Sequence, residues 1–321
     1  MKQEIVFVSF VEEIIKSISL FYNKRSILEL ISVAIVLFLV LYMTYNFVSL
    51  KEGLESHSLF KNKFLHLKNN KIYDTFYASI YDNLFFDRKK LRLELNEVIS
   101  KTNIDNTSSI LDIGSGTGHH LNVLHEIAGE VTGIDNSKAM VEKAKKNYSF
   151  LNIKHEDAMN SMVFMQERFS HITLFYFTIY CFEDKLSLLQ NCYKWLKQDG
   201  YLIIHLVNRD KFDPLLNHAN PLYLVSPQKY AKNRMTKSSV NFNTFKYKSN
   251  FEYESTKDLT TFKEVLKCNK SGNTRVHEHE LHLTKQKEII QLAKQVGFSV
   301  KGKIHLLPCQ YEYQYIYILQ K

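Results

Sequence analysis

The chain has 321 residues, of which 45% are hydrophobic, and its 42 Lys and Arg against 33 Asp and Glu give a net charge of +9. This length and apolar content are enough for one large domain with a substantial core. The four cysteines (Cys181, Cys192, Cys268 and Cys309) are widely scattered without a Cys-x-x-Cys pair, which argues against a zinc site or a disulfide framework.

The first fifty residues predict two helices. In residues 1–25, apolar side chains recur at helical spacing opposite polar ones, which predicts an amphipathic N-terminal segment. In residues 26–50, the stretch 30–50 contains no charge and has the length needed to cross about 30 Å of hydrocarbon, so we expect a single transmembrane helix. A buried helix is the main alternative, because a signal peptide would not follow so long a leading segment.

Residues 51–71 are rich in lysine and predict a basic tether that leads into a domain over residues 72–321. Charges flanking the apolar stretch are nearly balanced and do not set its orientation. After the tether, Tyr73, Phe76, Tyr77 and Ile80 share one face of a predicted helix. Such a helix either packs into the core or closes over a ligand, so Tyr73 and Tyr81 are weak candidates for site residues.

A strand followed by three glycines is the strongest functional signal in the chain. The apolar run Ser109–Ile113 is typical of a buried strand, and it leads into Gly114, Gly116 and Gly118 before a helical segment. Glycines let the backbone approach ligand atoms that any Cβ would exclude. Dinucleotide-binding turns have the spacing Gly-x-Gly-x-x-Gly, and His119 stands where their third glycine would fall, which argues against NAD or FAD.

Two more acidic positions follow at the spacing that a nucleoside site needs. A second strand is predicted over residues 130–134 and ends at Asp135, whose carboxylate could accept hydrogen bonds from both ribose hydroxyls or could cap the next helix. A third strand over residues 152–155 leads to Asp157 and Ala158, which could read an adenine edge. The two predicted crossover helices cover residues 118–128 and 137–147. Together these elements predict a βαβαβ unit.

With these residues the chain resembles the class I S-adenosylmethionine-dependent methyltransferases, from about residue 72 to the C terminus. Residues 112–118 are similar to the first motif of that family, Asp135 to its ribose-binding acid, and Asp157 and Ala158 to its adenine-reading pair. The resemblance implies S-adenosylmethionine as cofactor and no metal. The cofactor-binding residues it implies are Asp112, Gly114, Ser115, Gly116, Thr117, Gly118, Asp135, Asn136, Asp157, Ala158 and Tyr176.

The same resemblance implies an α/β fold: a Rossmann-like sheet of seven strands with helices on both faces and an antiparallel last strand. The remaining elements are predicted as strands over residues 171–175, 200–206, 298–304 and 312–319 and helices over residues 186–196 and 285–296. An insertion over about residues 208–276 follows the fifth strand, and strands over residues 240–248 and 262–268 make it mainly β. In this fold such an insertion commonly forms a cap over the acceptor pocket.

Catalytic candidates follow from where ligands bind in such sheets, beyond the carboxyl ends of the parallel strands. Tyr176 and Tyr180 come after the fourth strand, and His205, which titrates near neutrality, ends the fifth. Tyr180 and His205 are therefore weak catalytic candidates, and for His205 a hydrogen-bonded structural role is the favoured alternative. Methyl transfer needs alignment and water exclusion, with a general base only where the acceptor still carries a proton.

Two further patterns give weaker signals. Residues 277–282, His-Glu-His-Glu-Leu-His, alternate like a half-exposed strand of the cap; half a metal site is less favoured because the His-Glu-x-x-His spacing is absent. Basic and aromatic residues alternate in residues 242–248, but a strand with a solvated face explains them as well as nucleic-acid binding does. Nucleic acid is thus a disfavoured partner.

The complete pattern predicts a membrane-anchored, single-pass S-adenosylmethionine-dependent methyltransferase. Its catalytic domain is expected to face the cytosol, where the cofactor is made and kept. A lipid or small-molecule acceptor is favoured. The alternatives are a methyltransferase that acts on RNA or protein and is localised by its anchor, and a catalytically silent scaffold that binds the cofactor.

Overall fold

The computed structural model describes residues 26–49, 60–216, 228 and 230–321. The chain divides into two units, Met1–Gly53 and Leu54–Lys321. The predicted amphipathic segment over residues 1–25 and the first part of the predicted tether lie outside the described residues.

In the first unit, helix α1 (Ile27–Ser49) forms where the apolar stretch predicts a helix. Within the described residues, no helix combines the length and the apolar character that crossing a membrane requires. The predicted transmembrane span is therefore not supported.

The second unit contains both α-helices and β-strands. Its strands are β1 (Phe64–Lys68), β2 (Ser109–Ile113), β3 (Glu130–Asp135), β4 (Asn152–His155), β5 (Phe169–Leu174), β6 (Leu196–Val207), β7 (Lys237–Asn241), β8 (Phe245–Glu252), β9 (Leu259–Cys268), β10 (Thr274–His282), β11 (Ser299–His305) and β12 (Gln314–Gln320). Its helices are α2 (Thr75–Phe85), α3 (Arg88–Thr102), α4 (His119–His125), α5 (Lys138–Asn147), α6 (Lys185–Trp195) and α7 (Gln286–Val296).

Seven strands form the central sheet in the order β11-β12-β6-β5-β2-β3-β4. Strand β12 runs antiparallel to both of its neighbours, and the other pairs are parallel. The predicted Rossmann-like sheet with its antiparallel last strand is confirmed. Strand β2 lies at the centre, and all five of its residues are buried, as expected for a parallel strand covered on both faces.

Two apolar clusters hold helices against the opposite faces of this sheet. Successive strand residues point to opposite faces, so Ile110 joins the cluster with α3 and α4 whereas Leu111 joins the cluster with α6 and α7. Burying each such aliphatic side chain contributes roughly 1.5–3 kcal/mol. The amphipathic faces of the helices thus fix the sheet edge at which the glycine-rich turn emerges.

Five strands form a second sheet, the cap sheet, in the order β1-β10-β9-β8-β7. The mainly β insertion is present, with two differences from the prediction. Part of the predicted tether is strand β1, which pairs in parallel with β10. The predicted strand over residues 240–248 is broken by a hairpin turn, because the Phe242 N–H bonds to the Phe245 carbonyl at 2.9 Å, and β7 and β8 pair antiparallel on either side.

Candidate functional site

The glycine-rich turn connects β2 to α4 at the carboxyl end of the central sheet. The N–H groups of Gly114 and Ser115 donate to the Ile134 carbonyl at 2.8 and 3.1 Å, which fixes the turn against β3. Gly114 and Gly116 both have positive φ, +72° and +54°. A Cβ on Gly114 would lie 2.7 Å from Thr178 Cγ2, whereas a Cβ on Gly116 would meet no protein atom within 4 Å. Gly114 is therefore required by the protein itself, and Gly116 faces open space where a ligand can approach the backbone.

Asp135 lies at the end of β3 beside this turn and is half-buried. Its Oδ2 accepts a hydrogen bond from Gly116 N at 2.9 Å and its Oδ1 from Ser137 N at 2.8 Å. Burial raises the pKa of Asp135, and the two amide hydrogen bonds oppose that shift. A carboxylate has about four lone-pair positions, so this side chain can still accept hydrogen bonds from ribose hydroxyls. The N-cap of α5 is Ser137, whose Oγ accepts from Met140 N, so the alternative role of Asp135 as that cap is wrong.

Other residues of the first motif stabilise the turn through hydrogen bonds with β2 and β5. Asp112 is buried, and its Oδ1 accepts a hydrogen bond of 2.7 Å from Thr173 Oγ1, which ties β2 to β5. Burial raises the pKa of Asp112. Ser115 Oγ donates to the Asp112 carbonyl at 2.8 Å. These contacts place Asp112 and Ser115 in the support of the loop, with Thr117 and Gly118 continuing into α4.

The predicted adenine-reading pair lies at the same edge of the sheet. Strand β4 pairs with β3, and the Glu156 N–H donates to the Asp135 carbonyl at 3.2 Å. The residues that follow the two strands therefore lie side by side. Asp157 is exposed and Ala158 is buried. The Asp157 carboxylate accepts from Met159 N at 2.9 Å, while Asn136 is exposed next to Asp135. The structure thus brings three of the predicted strand-end positions to one edge.

Helix α2 and the residues before it cover the glycine-rich turn. Asp82 Oδ1 accepts from Thr117 Oγ1 and lies 3.2 Å from His119 Nε2. Burial would raise the pKa of Asp82, but the hydrogen bond and charge of His119 hold it below its ordinary value. The Tyr73 carbonyl accepts from Ser137 Oγ at 2.6 Å. Tyr73 precedes α2, because Asp74 is the N-cap of that helix, so the predicted helical stripe of Tyr73, Phe76, Tyr77 and Ile80 is wrong at its first member.

Both catalytic candidates from the sequence are buried in the core. His205 has no exposed surface, and its Nδ1 is hydrogen-bonded to the Tyr176 carbonyl. Burial and the charge of Lys90 lower the pKa of His205 to about 3. Tyr180 has no exposed surface either, and its hydroxyl accepts from Val207 N at 2.8 Å. His205 is not at the rim of the cleft because β12 pairs with β6 directly at that position, opposite Ile316.

Tyr176 has φ +51° and rests on a buried ionic cluster that the sequence pattern does not predict. Lys90 Nζ lies 3.7 Å from the centroid of the Tyr176 ring and 2.6 Å from Glu94 Oε1. His120 Nε2 lies 3.1 Å from the other oxygen of Glu94. Burial would raise the pKa of Glu94, but Lys90 and His120 lower it to about 2. The only signal in the sequence is an i, i+4 Lys-Glu pair, which usually lies on a solvated helix face.

The cap closes the other side of the cleft. Strand β10 packs against the turn Thr178–Cys181, which follows β5. Cys181 is exposed and Tyr73 is half-buried. Burial raises the pKa of Tyr73 well above its ordinary value, and Cys181, Tyr81, Glu264 and Asp135 raise it further. Tyr73, Tyr81, Cys181 and Asp135 therefore lie near one another, in the region between the glycine-rich turn and the cap that we call the cleft. No group of three or more His, Cys, Asp or Glu among the described residues could hold a metal ion.

A family model described as a methyltransferase domain matches residues 104–265, about half of the chain, from just before β2 to β9 of the cap sheet. The chain belongs to this methyltransferase family. The cofactor that the sequence implies for it is S-adenosylmethionine. The residues present fit this cofactor. The glycine-rich turn has open space beside Gly116, where its backbone could approach the cofactor, and the Asp135 carboxylate could hold the ribose.

Similar proteins agree with this membership. The methyltransferase is 30% identical over 120 residues to a phosphoethanolamine N-methyltransferase of Plasmodium falciparum (isolate 3D7), a match that covers 34% of this chain and 42% of that protein, so the chain spans less than half of its relative. A solved S-adenosylmethionine-dependent methyltransferase from Clostridium acetobutylicum is 18% identical with a TM-score of 0.58 over 76% of this chain and 97% of that one. The sugar N-methyltransferase KedS8 from Streptoalloteichus is 16% identical with a TM-score of 0.55 over 78% and 93%. At these identities the two structures show the shared fold alone.

Proposed function

We propose that this methyltransferase transfers the methyl group of S-adenosylmethionine to a nitrogen atom of a small amine. The observation that carries the proposal is the position of Tyr73, which lies beside the glycine-rich turn through its carbonyl contact with Ser137 and is acted on by the carboxylates of Asp135 and Glu264. The names of two similar proteins, a phosphoethanolamine N-methyltransferase and a sugar N-methyltransferase, support the same acceptor chemistry.

The electrostatics around Tyr73 favour an amine over an anionic acceptor. Asp135 and Glu264 both raise the pKa of the Tyr73 phenol, as nearby negative charges do. A carboxylate or phosphate placed there would be repelled, whereas an ammonium group would be attracted. The ring of Tyr73 lies 5.5 Å from that of Tyr77, and aromatic faces add a further attraction for cations. A phosphate elsewhere on the acceptor would have to lie away from these two carboxylates.

The residues of the chain supply binding, orientation and water exclusion. When bound, S-adenosylmethionine supplies an electrophilic methyl group on a positively charged sulfur. Asp135 and the turn at Gly116 hold the nucleoside end, α2 closes the cleft through Asp82, and the cap strand β10 closes it from the acceptor side. Holding two reactants in line and removing water accounts for most of what this reaction requires.

Methyl transfer from labelled S-adenosylmethionine tests the proposal with the full chain. The acceptor probes are ethanolamine, phosphoethanolamine and vesicles that contain phosphatidylethanolamine, so the free amines and the lipid headgroup are separated. We expect label on at least one amine, and much less label with Asp135→Ala when the cofactor is limiting. Label on the vesicles alone would assign the lipid as the source of the amine. Binding of the cofactor without transfer to any of the three would overturn the proposal and favour the silent scaffold.

The same assay tests the alternative of a methyltransferase that acts on RNA or protein. Label that appears on added RNA or protein, and not on the amines, would favour a macromolecular acceptor. A cytosolic location of the catalytic domain stays a prediction, based on where the cofactor is made and kept. Fluorescence microscopy of the tagged full chain would test it.

A further inference from the structure

The cap sheet carries a buried cluster of ionisable side chains beside the cleft, which we call the Glu264 cluster. Its members are Glu264, His277, His279, Tyr77 and Tyr247. Glu264, His277 and Tyr247 have no exposed surface, and Tyr77 and His279 are also buried. Nothing in the binding of the cofactor uses this cluster.

Strand register brings the two histidines to one carboxylate. His277 lies directly opposite Glu264 on the neighbouring strand, and His279 follows on the same face because side chains alternate along a strand. His279 Nε2 lies 2.7 Å from Glu264 Oε2, and His277 Nδ1 lies 3.6 Å from the same oxygen. The hydroxyls of Tyr77 and Tyr247 donate to the two oxygens of Glu264 at 2.7 and 2.8 Å.

These partners keep Glu264 ionised. Burial alone would raise the pKa of Glu264, but hydrogen bonding with His277 and His279 holds it well below its ordinary value. An ionised carboxylate can only accept hydrogen bonds. His279 Nε2 must therefore carry the proton of the 2.7 Å contact, and the other ring nitrogen of a neutral His279 is a hydrogen-bond acceptor.

This acceptor nitrogen of His279, Nδ1, lies beside the side chain of Tyr73. The Tyr73 hydroxyl lies 3.5 Å from His279 Nδ1. Tyr73 itself is half-buried and borders the cleft with Cys181 and Tyr81. A contact of this length is common before a substrate binds and tightens in the reacting complex. One continuous line of polar atoms thus runs from the cleft through Tyr73 and His279 to Glu264.

We propose that Tyr73, His279 and Glu264 form a proton relay that deprotonates the methyl acceptor. This inference rests on the proposed amine methylation. As the acceptor nitrogen bonds to the methyl carbon, the carbon-sulfur bond breaks and its electron pair goes to sulfur. The nitrogen's proton goes to Tyr73 Oη, and the Tyr73 proton goes to His279 Nδ1. Glu264 keeps its negative charge and stabilises the imidazolium that results.

The relay supplies the base that an amine acceptor needs in a negatively charged cleft. Carboxylates that attract an ammonium group also stabilise its protonated form, and a protonated nitrogen has no lone pair to react with the methyl group. A base within the cleft removes this obstacle. In the relay Tyr73 is the catalytic residue that touches the acceptor, and His279 and Glu264 are positioning residues that act through it.

Tyr253→Phe provides a control for Tyr73→Phe, because the Tyr253 hydroxyl donates to Asp210 and not to a member of the Glu264 cluster. With phosphoethanolamine as the probe, we expect Tyr73→Phe and His279→Gln to lower kcat by about 10²- to 10⁴-fold with little change in cofactor affinity. The double variant should cost about as much as either single one, because the two residues act as a unit. Tyr253→Phe should keep kcat within a few-fold of wild type.

The split between kcat and cofactor affinity gives a readout that a merely structural role would not produce. In Tyr73→Phe and in His279→Gln, kcat should fall while the Kd of S-adenosylmethionine stays near its wild-type value, whereas a disturbed structure would change both. Equal kcat values for the Tyr73, His279 and Tyr253 variants would overturn the relay.

An acceptor-independent measurement keeps the relay testable if phosphoethanolamine is not methylated. In protein labelled with ¹⁵N-histidine, the relay requires His279 to carry its proton on Nε2 near neutral pH and requires Tyr73→Phe to shift the Nδ1 resonance. A proton on Nδ1, or no response to Tyr73→Phe, would overturn the relay. Failure of the amine proposal would appear only as the absence of label on the amines, so the two failures are distinguishable.

Discussion

Asp82 in α2 and Thr117 in the glycine-rich turn are joined by a hydrogen bond of 2.5 Å, from Thr117 Oγ1 to Asp82 Oδ1. This bond connects the helix that covers the cleft to the loop that we propose as the cofactor-binding loop. Both residues are largely shielded from solvent, and His119 adds a second contact to the same carboxylate oxygen. The position of α2 over the site thus depends on a short side-chain contact as well as on apolar packing.

Breaking this contact should weaken the binding of S-adenosylmethionine. A hydrogen bond to a charged group contributes about 1.5–3 kcal/mol, so we expect Asp82→Ala to raise Kd by about 10- to 150-fold if α2 must be held in place for binding. Calorimetric titration measures this change. Thr117→Val should have a similar effect, and the double variant should cost less than the sum of the two. Additive effects would mean that Asp82 and Thr117 act independently.

The two central glycines should respond differently to the same substitution. Both need left-handed backbone, which costs an alanine about 1–2 kcal/mol, but only at Gly114 would the new Cβ collide with Thr178. Gly114→Ala should therefore lower the free energy of unfolding more than Gly116→Ala does, and adding Thr178→Ala should recover part of the loss. Gly116→Ala should mainly abolish cofactor binding. Urea unfolding and calorimetry separate these effects; equal losses of stability would contradict the geometry.

Asp135 should dominate recognition of the nucleoside. Its two oxygens are already oriented by the amides of Gly116 and Ser137, so little order remains to be imposed when ribose hydroxyls bind. We expect Asp135→Ala to raise the Kd of S-adenosylmethionine and of S-adenosylhomocysteine by at least about 10-fold. Asp157→Ala is the matched control, since Asp157 is exposed and should matter less. A larger effect at Asp157 would assign the main recognition to the adenine end.

Elements with strong local signals are predictable from the sequence. Strands β2 and β4 have the predicted bounds, and the other strands and helices of the central sheet lie within a few residues of them. Buried parallel strands are continuous apolar runs, and the glycine turn has a spacing found in few other contexts. For the same reason, the residue pattern alone places Asp135, Asp157 and the glycines at one edge of the sheet.

Contacts that join distant segments are not predictable in this way. Strand β1 looks like a basic tether because its pairing partner, β10, lies some two hundred residues later. Residues 277–282 form a half-exposed strand of the cap sheet as predicted, with His277 and His279 on its buried face, but nothing in this segment reveals that Glu264, Tyr77 and Tyr247 cover them. His205 looks like a rim residue because the covering strand β12 comes at the end of the chain. Side-chain burial in each case is set by tertiary packing, which local patterns do not contain.

His205 should make the stability of the protein sensitive to acid. Its pKa is about 3 in the folded protein because of burial and the charge of Lys90, against an ordinary value of 6.5. Between these values the unfolded chain binds one more proton than the folded one, so stability is complete above pH 6.5 and falls as the pH is lowered. The expected slope is about 1.4 kcal/mol per pH unit.

His205→Asn isolates this contribution. The asparagine amide can replace the Nδ1 donor to the Tyr176 carbonyl but cannot take up a proton. In urea unfolding between about pH 7 and about pH 4.5, the variant should lose less free energy of unfolding than the wild type, by roughly 1 kcal/mol for each pH unit. Glu94, with its pKa lowered to about 2, loses its contribution at still lower pH in both proteins and cancels in the comparison. Parallel curves for the two proteins would mean that His205 is already charged, or solvated, in the folded state.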